Sequence, residues 1–264
     1  MYTVQEENKI IDNLCIFDNK FMQKIFEDKK CVEKMMKIIL EDQRIYIKEL
    51  HTEFPLHNLQ GRSAYVDLYF IDSKASFFNI EIQGYKEGAI PRRARLHASL
   101  LNGNIIAPRE KWKDLPQVYI IFICKEDYLR KGLPIYHIQR KIEETGENFD
   151  DGEMIIYING EIEDRTPLGK LMHDFKCIAP DDMYYDFLAD RVRYFKKTKE
   201  GRKKMSQLLE ELFEQGKEEG RMQGTIETSY EIAKAMILDG KLSIEDISSY
   251  TGLKTEEVEN LQFV

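Results

Sequence analysis

Cysteine is scarce and scattered in this chain. Cys15, Cys31, Cys124 and Cys177 include no CxxC pair, which argues against a zinc ribbon or a disulfide scaffold and fits a reducing compartment. The five histidines, His51, His57, His97, His137 and His173, show no HExxH spacing, which removes that zinc-hydrolase helix. No apolar run exceeds Val118–Cys124, far short of the about 18 residues a membrane helix needs. The opening MYTVQEENK is charged and has no apolar core, so no signal peptide and no membrane partner are expected, and the cytoplasm is the expected location. Basic charge is also short. Lys+Arg number 39 against 47 Asp+Glu, a net charge of −8. Such a chain is no general polyanion binder, and contact with nucleic acid requires a local basic patch.

What is there suffices for a core. The 264 residues are 42% hydrophobic and 33% charged, which suits one large domain or one domain with an appendage. Residues 20–40 carry Phe21, Ile25, Val32, Met35, Met36 and Ile39 at three- and four-residue steps, which predicts a helix. Residues 64–72 (AYVDLYFID) and 77–83 (FFNIEIQ) alternate and predict strands. Residues 92–101 predict a helix ending near Asn102-Gly103. Val118–Cys124 reads as a buried strand. Ile155–Ile162 contains Asn159-Gly160, a strong hairpin signal.

Helix, strand, strand, helix, strand is a mixed α/β order. Composition then shifts near Asp190. Residues 191–204 hold eight Lys/Arg and one Glu, read either as a strip along a nucleic-acid backbone or as a solvated helix face. Gly216, Gly220 and Gly224 follow at four-residue steps, either a close-packing stripe or a loosely helical linker. The tail KLSIEDISSYTGLKTEEVENL looks like a helix-turn-helix with Gly252 in its turn. Three Lys against eight acids in 225–264 oppose docking on DNA and suggest a protein-contact element. The expected boundaries are 1–190, 191–224 and 225–264.

The two adjacent strands carry the chemistry. As an antiparallel hairpin, Asp67 shares a face with Tyr65, Tyr69 and Ile71, while Glu81 shares one with Phe77, Asn79 and Gln83. A slip of one residue would expose the apolar faces, so pattern fixes the register modulo two. A turn centred on Lys74 puts Asp67 opposite Glu81, with Cβ atoms roughly 4.5–5.5 Å apart. Like charges so placed repel unless a cation lies between them. Two carboxylates without His or Cys favour Mg²⁺ or Mn²⁺. The competing reading is a solvated sheet face. The apolar neighbours weigh against it, because acids deep in apolar strands are rarely buried without a partner.

The stretch GRSAYVDLYF…NIEIQ followed by RRARLHASLL resembles the PD-(D/E)XK nuclease superfamily, most of all its transposase and recombination-promoting (Rpn-like) branch. DNKFMQKIFED and GLPIYHIQRKIEETGE extend the resemblance over roughly residues 13–205. It implies an α/β restriction-endonuclease-like core, a mixed sheet flanked by helices, with a helical C-terminal extension. It also implies Mg²⁺- or Mn²⁺-dependent cleavage of DNA linked to recombination or mobile elements. Asp67 and Glu81 would hold the metal, with the Ile82 carbonyl as a third ligand. Gln83 stands where most of the superfamily has Lys, and an amide orients water but stabilises no anion as an ammonium does. Arg93 and Arg95 are the candidate helpers, at most one of them facing the site. Arg62 and His97 are further candidates for DNA contact, against an exposed arginine and a structural histidine. Many relatives begin the first helix with Asp-x-x-Phe-Lys. This chain does not, so Asp18 and Glu27 are both candidates for the first-helix acid, with a helix cap the other role for Asp18. Trp112 and Tyr119 read as packing. A homodimer through the C-terminal helices is the expected assembly. The rivals are a nuclease fold that binds nucleic acid but cuts poorly, and a scaffold for protein contacts.

Overall fold

Alternation at 64–72 and 77–83 yields the strands it predicts. In the computed structural model, which describes residues 3–58, 61, 63–85, 88–105, 111–239 and 241–261, they are β2 (Ala64–Asp72) and β3 (Phe77–Gln83). Before them come α1 (Val4–Asn13), α2 (Asn19–Phe26), α3 (Lys29–Ile39) and β1 (Ile47–Leu56). After them come α4 (Pro91–Ile105), β4 (Val118–Cys124), β5 (Ile135–Ile138), β6 (Glu153–Asn159), α5 (Pro167–Lys176), α6 (Asp186–Lys197) and α7 (Lys199–Asp239). The six strands form one sheet in the order β1-β2-β3-β4-β6-β5. β1, β2 and β3 are an antiparallel meander, β3, β4 and β6 run parallel, and β5 closes the far edge antiparallel. This is a mixed α/β sheet flanked by helices, as expected, followed by a helical C-terminal region.

The turn between β2 and β3 sets the register. Asp72 Oδ1 accepts from the N–H groups of Lys74 and Ser76 at 2.9 and 2.8 Å, and Ala75 takes a φ of 62°. Leu68 then pairs with Ile80 and Phe70 with Phe78, the register centred on Lys74. On one sheet face Phe70, Phe78 and Tyr119 stack at 4.3 and 4.5 Å between centroids, so Tyr119 packs. Trp112 is exposed. On the other face α4 buries Ala94, Ala98 and Leu101 in a cluster with Tyr69, Ile120, Phe122 and Tyr157. The alanines allow the helix to lie close to the strands, within reach of polar side chains on β3.

Four expectations need correction. Residues 20–40 are two helices, because the Asp28 carboxylate accepts from Lys30 and Cys31 N–H and starts α3 afresh. The helix expected to stop at Asn102-Gly103 runs on to Ile105. There Asn102 Nδ2 donates to the Ala98 carbonyl, along the helix. Asn159-Gly160 makes no hairpin. The Asn159 side chain donates to Leu133 O and accepts from Glu161 N, and Gly160 N–H reaches Cys124 O at 2.7 Å. The chain therefore leaves the sheet toward α5. Finally β1 and β5 were not anticipated. β1 carries Lys48, Glu49, Thr52, Glu53 and Pro55, a composition suited to an edge strand rather than clean alternation.

Five of the eight basic residues at 191–204 are engaged within the chain, while Lys197, Lys199 and Lys203 are exposed. Arg191 donates to the carbonyls of Lys24 and Ile25, and Arg193 pairs with Asp181 and Asp190. Buried Lys196 donates to the carbonyls of Asp12, Leu14 and Ile178. Arg202 binds Asn8 and Asp12, and Lys204 binds Glu200.

One unit spans Val4–Met205, and a second is built on Ser206–Val264. In the second, α8 (Ile244–Thr251) and α9 (Thr255–Leu261) follow α7. Ser243 and Asp246 form a capping box, and Gly252 turns the chain at φ 71°. Ala233, Ile247, Leu253 and Val258 form its core. No described helix is long and apolar enough to cross a membrane.

Candidate active site

Asp67 and Glu81 face each other where the β2–β3 ladder opens. The backbone pairing ends at Leu68–Ile80. One level on, the Ile82 N–H donates to Asp67 Oδ2 at 2.7 Å instead of to a backbone carbonyl. A side chain thus occupies the place of a ladder bond, and it holds the Asp67 carboxylate beside β3. Burial and the neighbouring Glu81 charge push the Asp67 carboxyl up to about 7, against the opposing pull of the Ile82 N–H and Arg93.

Glu81 is fully buried under α4. Arg93 Nη2 donates to its Oε2 at 2.6 Å, and Gln83 Nε2 adds a weaker bond at 3.3 Å. Glu81 Oε1 is buried without a hydrogen-bond partner. A buried carboxylate oxygen in that condition is costly. The donor set would fit a hard divalent ion: two carboxylates, one with an orphaned oxygen and the other partly exposed. Among the described residues no three His, Cys, Asp or Glu side chains gather into a larger metal cluster.

Arg93 is held at three points. Besides Glu81, its Nη1 donates to Gly88 O at 3.0 Å and its Nε to His97 Nε2 at 3.3 Å. Since guanidinium only donates, His97 Nε2 accepts and Nδ1 carries the proton. Nδ1 lies 3.4 Å from Glu81 Oε1 and 2.9 Å from the Asn79 amide. With its oxygen turned to the ring, Asn79 accepts that proton and gains the partner its Oδ1 otherwise lacks. Asn79, His97 and Arg93 are therefore one braced set under Glu81. His97 is buried and bonded on both nitrogens, so its position suits bracing Glu81 and gives no free edge to a DNA phosphate. Arg95 is exposed on α4 and has no bond to Glu81. Arg62 lies outside the described residues.

Neither first-helix candidate is among the groups that act on Asp67. Asp18 sits at the head of α2, makes no cap bond there, and accepts from Cys15 N–H at 2.6 Å. Glu27 closes α2 and pairs with Lys24 at 2.6 Å. The further acid whose charge reaches Asp67 comes instead from β1. Glu53 lies level with Asp67, between the pairs Thr52–Leu68 and Phe54–Val66, at a φ of 51°. Burial works to raise its carboxyl, but hydrogen bonds from Lys20 and Gln23 on α2 overcome this and lower it. Sequence reasoning missed Glu53 because its strand was missed. Asn79 was placed on the correct face without a role.

A family model described as PD-(D/E)XK nuclease family transposase matches residues 16–164. Neither a curated protein nor a solved structure gives a match.

Proposed function

The chain belongs to the family of PD-(D/E)XK nuclease transposases, and on that premise we propose that it is a divalent-metal-dependent DNA endonuclease linked to recombination or mobile elements. The observation that carries the reading is the orphaned, buried Glu81 Oε1 beside Asp67. Asp67 and Glu81 would hold Mg²⁺ or Mn²⁺, with the Ile82 carbonyl as a third ligand. Such an ion supplies charge that polarises a phosphodiester and makes water acidic. Asp67, raised to about 7 by burial and the Glu81 charge, is poised to lose its proton to a nearby cation. Gln83, held against Glu81 by one bond, leaves its carbonyl oxygen to orient a water. Arg93 provides the fixed positive charge that an amide at position 83 lacks. Arg95 remains a candidate for contact with DNA farther along the strand. A homodimer through the C-terminal helices is part of the proposal, since a Cβ at Gly216, Gly220 or Gly224 would have no neighbour from outside its own turn of helix within 4 Å among the described residues. Light scattering of the full chain tests it.

Nicking of supercoiled plasmid tests the chemistry. Cleavage should appear with Mg²⁺ or Mn²⁺, vanish in EDTA and vanish in Asp67→Ala. DNA binding without nicking under any of these conditions would instead favour the binding-module reading. Gly88→Ala gives a second test. An added Cβ would collide with Gln83 Oε1 and press on Arg93 Nη1 at 3.3 Å. The Gln83 end can swing away, so the fold should persist. Cleavage should drop about 10- to 100-fold, the usual scale for misplacing a catalytic group. An unchanged rate would remove Gln83 from the mechanism.

A further inference from the structure

A cavity of about 570 Å³ opens beside the acidic pair, lined by Tyr65, Ile90, Arg92, Arg93, Leu96 and His97 among others. Two of its lining residues tie it to the site. Arg93 lines it and also holds Glu81. Tyr65 lies two residues before Asp67 on the same strand, hence on the same face by alternation. The walls combine exposed apolar groups with cations. Tyr65, Ile90 and Leu96 are 70%, 43% and 39% exposed. Arg92 is exposed and makes no hydrogen bond or ion pair among the described residues.

This composition discriminates between forms of DNA. A duplex offers phosphates and sugars at its surface and keeps its base faces stacked. It would meet the arginines and leave the apolar walls wet. An unpaired nucleotide offers a base face for Tyr65 and Leu96 and a phosphate for Arg92. The rest of the protein points the same way. A net charge of −8, and a basic run of which Arg191, Arg193, Lys196, Arg202 and Lys204 are engaged by the chain itself and Lys197, Lys199 and Lys203 are left exposed, leave few cations for tracking a long duplex backbone, whose affinity depends on many phosphate contacts.

We propose that this cavity receives an unpaired nucleotide adjoining the scissile phosphate, so that the substrate is single-stranded or frayed DNA rather than intact duplex. The proposal rests on the nuclease reading above. It is tested by fluorescence anisotropy in EDTA, which reads binding without cleavage. A labelled oligothymidylate should bind at least about tenfold more tightly than a duplex of the same length. Tyr65→Ala should weaken single-strand binding about tenfold, the usual scale for losing one base stack. Tyr65→Phe should bind like the parent. Equal affinity for single strand and duplex, or a Tyr65→Ala variant that binds as the parent does, would overturn it. The two readings fail separately. Single-strand preference without divalent-dependent nicking would sink the nuclease and keep the pocket, while nicking without that preference would do the reverse.

Discussion

Asp67→Asn should abolish divalent-dependent cleavage and, in metal-free buffer at pH 8, make the protein more stable than its parent. Both effects have one cause. Burial and the Glu81 charge raise the Asp67 carboxyl from 3.8 to about 7 in the folded chain. In the unfolded chain the acid ionises near 3.8, its ordinary value. Between those limits the folded state binds the extra proton, so stability falls as pH rises from about 4 to about 7 and is level above. An amide carries no such cost, and the variant should gain about 1–3 kcal/mol at pH 8 and little at pH 4. Urea unfolding in EDTA at both pH values measures this. Millimolar Mn²⁺ should then stabilise the parent and not the variant, because an ion that binds only the folded site shifts its equilibrium. A variant less stable than its parent at pH 8 would show that Asp67 is comfortable as an anion without metal, and that the pair is not poised for a cation.

Arg93→Ala should be the most damaging change on α4. It leaves Glu81 as a fully buried carboxylate with one weak amide bond. Removing one partner of a buried pair costs about 3–5 kcal/mol. Arg93 is about one-third exposed, so the lower end applies, near 3 kcal/mol. A divalent ion at Glu81 Oε1 would supply part of the lost charge. Mn²⁺ should therefore restore more stability to Arg93→Ala than it adds to the parent. Removing Arg95, exposed on the same helix, should change stability by less than about 0.5 kcal/mol. Equal responses of Arg93→Ala and the parent to Mn²⁺ would place the ion away from Glu81.

The hairpin was legible because its information is local. Alternation and one turn centred on Lys74 were enough to set Asp67 against Glu81, and backbone pairing from Leu68–Ile80 to Ile71–Phe77 follows that register. Arg93 was legible as one of two arginines, since residues two apart on a helix cannot share a face. Glu53 was not, because an irregular edge strand bearing a positive φ has no periodicity to read. The bracing by Asn79 and His97 was not either. It depends on how closely α4 lies over β3, which Ala94 and Ala98 decide through packing and not through pattern. The engagement of much of the basic run was hidden for the opposite reason. Its charge is plain in the sequence, but the carbonyls and acids that absorb it come from α1, α2 and the segments around Ile178 and Asp181.

The proposed acidic pair, its amide, its bracing histidine and its adjoining cavity all fall between Ser63 and His97, apart from the charge that Glu53 adds from β1. Contacts at such short separation close small loops, and small loops form early and cost little entropy. This working part is therefore nearly a single uninterrupted stretch of chain. Gene rearrangement or fusion that replaced the flanking helices, or the whole segment after Met205, would carry it across intact.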